Sequence, residues 1–288
     1  QRVFRRAVDT GRAVSPGTEH TLAHLSSATL WMLMYDAANA TRLARQGADV
    51  VLAVTREELQ ASPVVRTMCI AVVAKLMRVE YLTNSLLEEG SAGTLAKIGR
   101  DAFASPTQRA LAASALNAVS QREEFRNELA DPTDSVMISL ATARPDDGDE
   151  TMQLIAARAL ARSSFGSRKR KLLDMGATRA LLAVVKAAES SVELRELALN
   201  ALLNLSGEER NQIYIAKHGI FHLAAIFHKP PSPTSAQHVS GILSNLALNQ
   251  ANRSLMYRAE LQIKHAQWAG LEEIDPVAAA EGRARAPS

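Results

Sequence analysis

The sequence predicts an all-α fold, an α-solenoid of about six stacked helical repeats, on three observations. Glycine-marked segments recur at a period near 43 residues, with Gly47 in LARQGA, Gly90 in LLEEGS, Gly176 in LLDMGA and Gly219 in AKHGIF. Apolar residues within each segment fall at helical spacing. The apolar content of 47% carries only 4% aromatics, so the interior is Ala, Leu, Val and Ile, the filling of close helix-on-helix packing. A period in the forties with three helices per unit marks a helical-repeat array. Each unit of such an array packs only on its neighbours, so a chain of 288 residues needs no domain boundary.

The stretch Ser190–Gly219 defines the unit best. Ser190 with Glu193 three residues later reads as a capping box that opens a helix. Leu194, Ala198, Ala201, Leu202 and Leu205 then share one face, and Leu197, Leu199 and Leu203 widen it until the helix is apolar almost all round. One polar stripe remains, Glu193, Glu196, Asn200 and Asn204. Gly207 breaks the helix, a short amphipathic piece follows from Glu209 to Lys217, and Gly219 is expected to end it.

The other elements follow from this phase. Gln1 to Arg12 reads as a short helix with Val3, Phe4, Ala7 and Val8 inward, the second helix of a unit whose first is missing, so the chain is expected to start mid-repeat. Ser15-Pro16 opens a third helix over about Thr18 to Asp36, and Ser62-Pro63, Ser105-Pro106 and Ser232-Pro233 open later ones. Serine caps the free amides and proline at the first helical position loses no hydrogen bond. Ser105 with Gln108 reads as a second capping box. The first complete unit has helices near 38–46, 48–58 and 63–79. The next units occupy 80–120, 121–164, 165–206 and 207–248, with PDDGDE (145–150) and HKPPSPT (228–234) as inter-helix loops. The glycine marker degenerates to Asp131 in the 121–164 unit. An incomplete sixth unit, marked by Glu260, runs from Asn249 to about Ile274. One solenoid over 1–274 and a disordered tail over 275–288 are therefore expected.

ILSNLALNQANRSLMYRAE (242–260) and LLNLSGEERNQIYIAKHG (202–219) carry a long third helix ending in Asn-Leu, then Asn-x-x-I/L/M and a small residue before the next helix. This pattern resembles the armadillo repeat, over roughly residues 15–270. The resemblance implies a right-handed superhelix whose third helices line a concave groove. It also implies that asparagines near their ends bond the backbone of an extended peptide. The matching positions are Asn117, Asn204 and Asn245, with Met32, Lys75 and Ala161 in the remaining repeats. One turn back, where nuclear-import adaptors of the family carry tryptophan, this chain has Ala28, Ala71, Ala113, Ala157, Asn200 and Gly241, so it is not a good match to that subgroup.

Composition and motifs exclude most chemistry. Cys69 is the single cysteine, flanked by Met68 and Ile70, and reads as a small core residue with no disulfide partner. No run of 18 apolar residues exists. His218 and His222 lie four apart, but with Gly219 between them at a helix break they need not share a face, and no third metal ligand is near. There is no GxGxxG or P-loop, Gly166-Ser-Arg-Lys-Arg lacks phosphate-loop spacing, and no Ser/His/Asp set stands out. No enzyme activity, cofactor or metal is expected. The net charge of +3, with 25 Arg against 8 Lys, is too small to argue for nucleic acid by itself.

The expectation is a non-catalytic protein–protein interaction scaffold, an intracellular eukaryotic subunit of a larger assembly. Its partner-binding groove would comprise Lys75, Arg109, Asn117, Glu193, Glu196, Asn200, Asn204, Gln237 and Asn245, acidic at one end and basic at the other. The alternatives are a soluble adaptor for one extended peptide in that groove, and an RNA-associated helical-repeat subunit. The second rests on the arginine excess and the lateral basic patch Arg168, Lys169, Arg170 and Lys171, whose bland reading is a solvated outer face. A cytoplasmic or cytoskeletal location is expected, while QRVFRR also fits the residues that follow a cleaved mitochondrial presequence.

Overall fold

A computed structural model describes residues 16–57, 61–143, 150–270 and 274–277, with side chains from residue 25 onward. The expected Gln1–Arg12 helix and all of the tail beyond residue 277 lie outside the described residues. Fourteen α-helices and no strands occur among the described residues. In chain order they are α1 Pro16–Leu33, α2 Ala37–Thr55, α3 Pro63–Leu76, α4 Glu80–Glu88, α5 Ser91–Arg100, α6 Pro106–Ser120 and α7 Glu123–Ala141. Then come α8 Thr151–Ser163, α9 Lys169–Asp174, α10 Ala177–Lys186, α11 Val192–Leu205, α12 Glu209–His228, α13 Pro233–Ala247 and α14 Arg253–Trp268. The chain divides into two compact units, Gln1–Val136 and Met137–Ser288, and the division falls inside α7.

In the first unit the third helices stack in order, α1 on α3 and α3 on α6, with α2 and α5 packed against them. Leu52, Ile70, Leu76, Leu95, Ile98 and Leu116 form the buried interior. In the second unit α11 is wedged between α8 and α13, while α12 packs on α10 and α14. Leu194, Ala198, Ala201, Leu202 and Leu205 of α11 are all buried, as the apolar face required. Burial of each leucine among them stabilises the fold by roughly 1.5–3 kcal/mol.

The serine caps act where the Ser-Pro steps place them. Ser62, Ser105 and Ser232 each accept the backbone N–H three residues on, from Val65 at 3.3 Å, Gln108 at 3.3 Å and Ser235 at 3.0 Å. The cap of α11 is Ser191, not Ser190: it accepts from Leu194 N at 3.2 Å. Ser190 instead donates to Val184 O at 3.0 Å, which ties the loop to the end of α10, so Glu193 sits at the second helical position and closes no box. Gln108, the other expected box partner, spends its amide on Thr67 Oγ1 at 3.0 Å, in the helix one repeat earlier.

The glycine markers divide into two kinds. Gly90 (φ 75°) and Gly176 (φ 90°) adopt left-handed backbone and separate first from second helices, α4 from α5 and α9 from α10. Gly47 and Gly219 do not break their helices: α2 and α12 run through them, correcting the expected breaks at 46–48 and at 219. The reason at Gly219 is packing. It is buried, and a Cβ there would lie 2.6 Å from Leu182 Cδ2, so the missing side chain admits a leucine from α10. α7 likewise runs through Pro132.

Two glycine substitutions test this distinction by urea denaturation. Gly219→Ala is expected to destabilise by about 1–3 kcal/mol through its clash with Leu182. Gly93→Ala, inside α5 where a Cβ meets nothing within 4 Å, is expected to stabilise by about 0.5–1 kcal/mol. Equal effects would contradict it.

Candidate interaction surface on the third helices

The polar stripe is partly consumed by contacts between repeats. In the second unit Glu193, on α11, pairs with Arg158 of α8 at 3.2 Å, both exposed. Glu196 accepts a hydrogen bond from Ser232 Oγ, the hydroxyl that caps α13. Asn204 donates its amide to Ala161 O at 3.3 Å and Ser164 Oγ at 3.0 Å, and Asn245 donates to Ser206 Oγ at 2.8 Å. Each asparagine thus links its helix to the end of the third helix one repeat earlier. Their side-chain oxygens receive no hydrogen bond among the described residues, so toward a partner both are acceptors, where asparagine in general offers donor and acceptor. Asn200 is half-buried and Gln237 exposed, and neither makes a side-chain hydrogen bond among the described residues. These two amides keep both functions. Alanine or glycine occupies positions without room for an aromatic ladder: Ala157 is buried, and a Cβ on Gly241 would lie 2.8 Å from Leu203 Cδ1.

The first unit places its expected residues differently. The Lys75 ammonium sits over two rings of α1 and its C-terminal turn, 4.9 Å from the Trp31 centroid and 3.1 Å from that of Tyr35. The rings meet edge to face at 6.1 Å. This aromatic pair escaped the sequence reading, although an i, i+4 aromatic step one repeat before a stripe lysine was its signal. Arg109 donates Nε to Gly99 O at 3.3 Å, closing the end of α5. Arg195, four residues after its own cap like Arg109, does the same to Ala187 O and Ser190 O at 3.1 and 3.2 Å. Asn117 is half-buried near the end of α6, where its carbonyl accepts from Ser120 Oγ and Gln121 Nε2.

Elsewhere, first helices are joined across repeats by buried asparagines. Asn211 donates to Lys169 O at 3.2 Å and accepts from Thr178 Oγ1 at 2.6 Å, and Asn252 donates to Gln212 O at 3.4 Å. In the basic run, Arg168 ends a short 3-10 turn and Lys169–Lys171 open α9. Lys169 lies over Gly207, while Arg170 and Lys171 are exposed.

Burial pushes the Cys69 thiol up to about 12, which removes it as a nucleophile at neutral pH. His218 and His222 share a face after all, because α12 is continuous. The His218 ring lies 4.4 Å from that of Tyr214 with their planes tilted by 42°, and burial, with Lys217 and Lys186 near His218 and Lys186 near His222, lowers the pKa of both imidazoles. No group of three His, Cys, Asp or Glu is placed to hold a metal among the described residues, and no helix there is long and apolar enough to cross a membrane.

No protein-family profile and no curated protein matches the sequence. Solved structures do match. A designed armadillo repeat protein aligns with TM-score 0.55 at 18% identity, covering 85% of this chain and 98% of its own. A computationally designed armadillo repeat protein for modular peptide recognition reaches 0.58 at 16% identity, with 85% and 98% covered. A third, solved in complex with the peptide (KR)4, reaches 0.54 at 18% identity, with 85% and 100% covered. The fold is therefore the expected armadillo-type solenoid.

Unfolding energetics separate structural from available amides. Asn211→Ala removes the bond to Lys169 O and leaves the buried Thr178 hydroxyl without its acceptor, and is expected to cost about 1–3 kcal/mol. Asn200→Ala is expected to change stability by less than about 0.5 kcal/mol, as at surface sites without special partners. Equal losses in urea titrations would show that Asn200 too is structural.

Proposed function

We propose that this protein is a non-catalytic protein-binding scaffold, an intracellular subunit of a larger assembly, which holds an extended segment of a partner along its third helices. The observation that carries this reading is the pair of unspent amides, Asn200 on α11 and Gln237 on α13, beside the acceptor oxygens of Asn204 and Asn245. An extended segment has unpaired N–H and C=O groups at every residue, and this surface supplies partners for both. Glu193, on the same helix as Asn200, already shares its carboxylate with Arg158 at 3.2 Å, so an Arg or Lys of the segment would compete for it, an effect on specificity and encounter more than on affinity. The neighbour bound to (KR)4 is a precedent on the same fold for a cationic peptide.

The test is co-purification of the natural partner with a variant that spares the fold. Glu193→Lys, Asn200→Ala and Gln237→Ala together leave the Ser232 and Asn204 bonds untouched. Partner yield is expected to fall at least about tenfold, with circular dichroism and melting temperature retained, since reversing a charge at an interface costs a few kcal/mol. Recovery at wild-type yield contradicts the proposal.

A further inference from the structure

Lys75 does on α3 what Asn204 and Asn245 do on α11 and α13, but it meets rings where they meet oxygens. Asn204 gives its amide to Ala161 O and Ser164 Oγ, and Asn245 gives its amide to Ser206 Oγ. Tyr35 stands before Lys75 at the same sequence distance as Ser164 before Asn204, so an aromatic ring replaces the hydroxyl acceptor. Met32 O, the counterpart of Ala161 O, receives the Tyr35 N–H at 3.2 Å instead. The Lys75 nitrogen is buried and has no hydrogen-bond partner among the described residues. It lies over both rings, 3.1 Å from the Tyr35 centroid and 4.9 Å from that of Trp31. The ring planes stand at 82°, so they form two walls of a corner. Asp36, next to Tyr35, accepts the Asn39 N–H at 2.9 Å as the cap of α2. Arg78, one turn beyond Lys75, is turned to Ser114 Oγ. The corner is built between α1 and α3 and uses no residue before Trp31.

We propose that the Trp31–Tyr35 corner binds a trimethyllysine side chain of a partner segment, with Lys75 as the resident cation that the ligand displaces. Lys75 shows that the corner holds an ammonium, and its unpaired N–H groups show which ammonium belongs there. A lysine head is strongly hydrated and brings three donors, and among the described residues nothing accepts them. A guanidinium would bring five donors to the same place. A trimethylammonium keeps the positive charge and has no N–H, so it gains the attraction of both rings and leaves no donor unpaired. Exchange then returns the Lys75 head to water, where its hydrogen bonds are made. Exchange for an unmodified lysine gains nothing. Arg78 repels every cation alike, so it lowers affinity without changing this preference. Access is open at Tyr35, which is 71% exposed, and the Lys75 stem is an unbranched chain that can swing aside. The source of the side chain rests on the proposed function, a segment held along the third helices. The corner itself lies in the first unit and shares no residue with Asn200 or Gln237.

The probe is a short blocked alanine–serine peptide with one central trimethyllysine, titrated into the full chain. Trp31 fluorescence reports binding in a Trp268→Phe background, since the chain has two tryptophans and Trp268 is 87% exposed. The proposal predicts saturable quenching with a Kd below about 1 mM in Lys75→Ala, and binding at least about tenfold weaker with Lys75 in place. In both chains the trimethylated peptide should bind at least about fivefold more tightly than unmodified lysine, and than a neutral analogue with a tert-butyl head of the same shape. Tyr35→Ala, which removes one wall, should abolish quenching with the melting temperature retained. Equal binding of the lysine and trimethyllysine peptides overturns the proposal, and so does equal binding of the neutral analogue. An affinity unchanged by Lys75→Ala, or no saturation by about 1 mM in that variant, overturns it as well. Choline bound more tightly than the peptide overturns the peptide source. The triple variant at Glu193, Asn200 and Gln237 should bind this probe as the wild type does, so loss of the partner there and loss of the probe here are read separately.

Discussion

Everything in the second unit depends on the contact of one third helix with the next. α11 is clamped between α8 and α13 by Leu194, Leu202 and Leu205 on its buried face, while Asn204 and Asn245 sew the helix ends together from the polar side. The apolar term is the larger, since several buried leucines outweigh hydrogen bonds worth about 1 kcal/mol each. The bonds supply register. Their donors and acceptors lie about one repeat apart in sequence, so a slip of one residue between neighbours would strand Asn204, Asn211 and Asn252 together. Stability in such an array accumulates from neighbour to neighbour.

The same requirement limits what is left for a partner. A residue on the polar stripe either links repeats or meets solvent. Glu196 and the Asn204 amide belong to the first group, Asn200 and Gln237 to the second. In the first unit Arg109 is tied to the end of α5, and Lys75 is held against Trp31 and Tyr35. The binding capacity of a third helix is therefore smaller than its polar content.

Local chemistry was legible in the sequence, and partnerships one repeat away were not. The Ser-Pro caps at Ser62, Ser105 and Ser232 involve atoms within three residues, and the buried face of α11 follows from 3.6-residue periodicity. Glycine was ambiguous because it lowers the cost of two different things. At Gly176 it permits left-handed backbone, while at Gly219 it admits Leu182, and only the neighbouring helix decides between them. Ser190 and Ser191 are equally good caps by type, and the Val184 carbonyl assigns them. The asparagines at the helix ends were found by matching the armadillo pattern, but which of their atoms remain free depends on Ala161, Ser164 and Ser206, roughly 40 residues upstream.

Site-specific photocrosslinking tests the central claim, that the third-helix stripe holds the partner, most directly. A photoreactive phenylalanine analogue replaces, one at a time, Asn200 and Gln237 on the stripe and Arg170 and Lys171 on the basic run, in the protein purified with its natural partner. The account predicts adducts from Asn200 and Gln237, mapping to one extended segment of the same partner, and none from the basic run. Adducts confined to Arg170 and Lys171 would place binding on the first helices and contradict it.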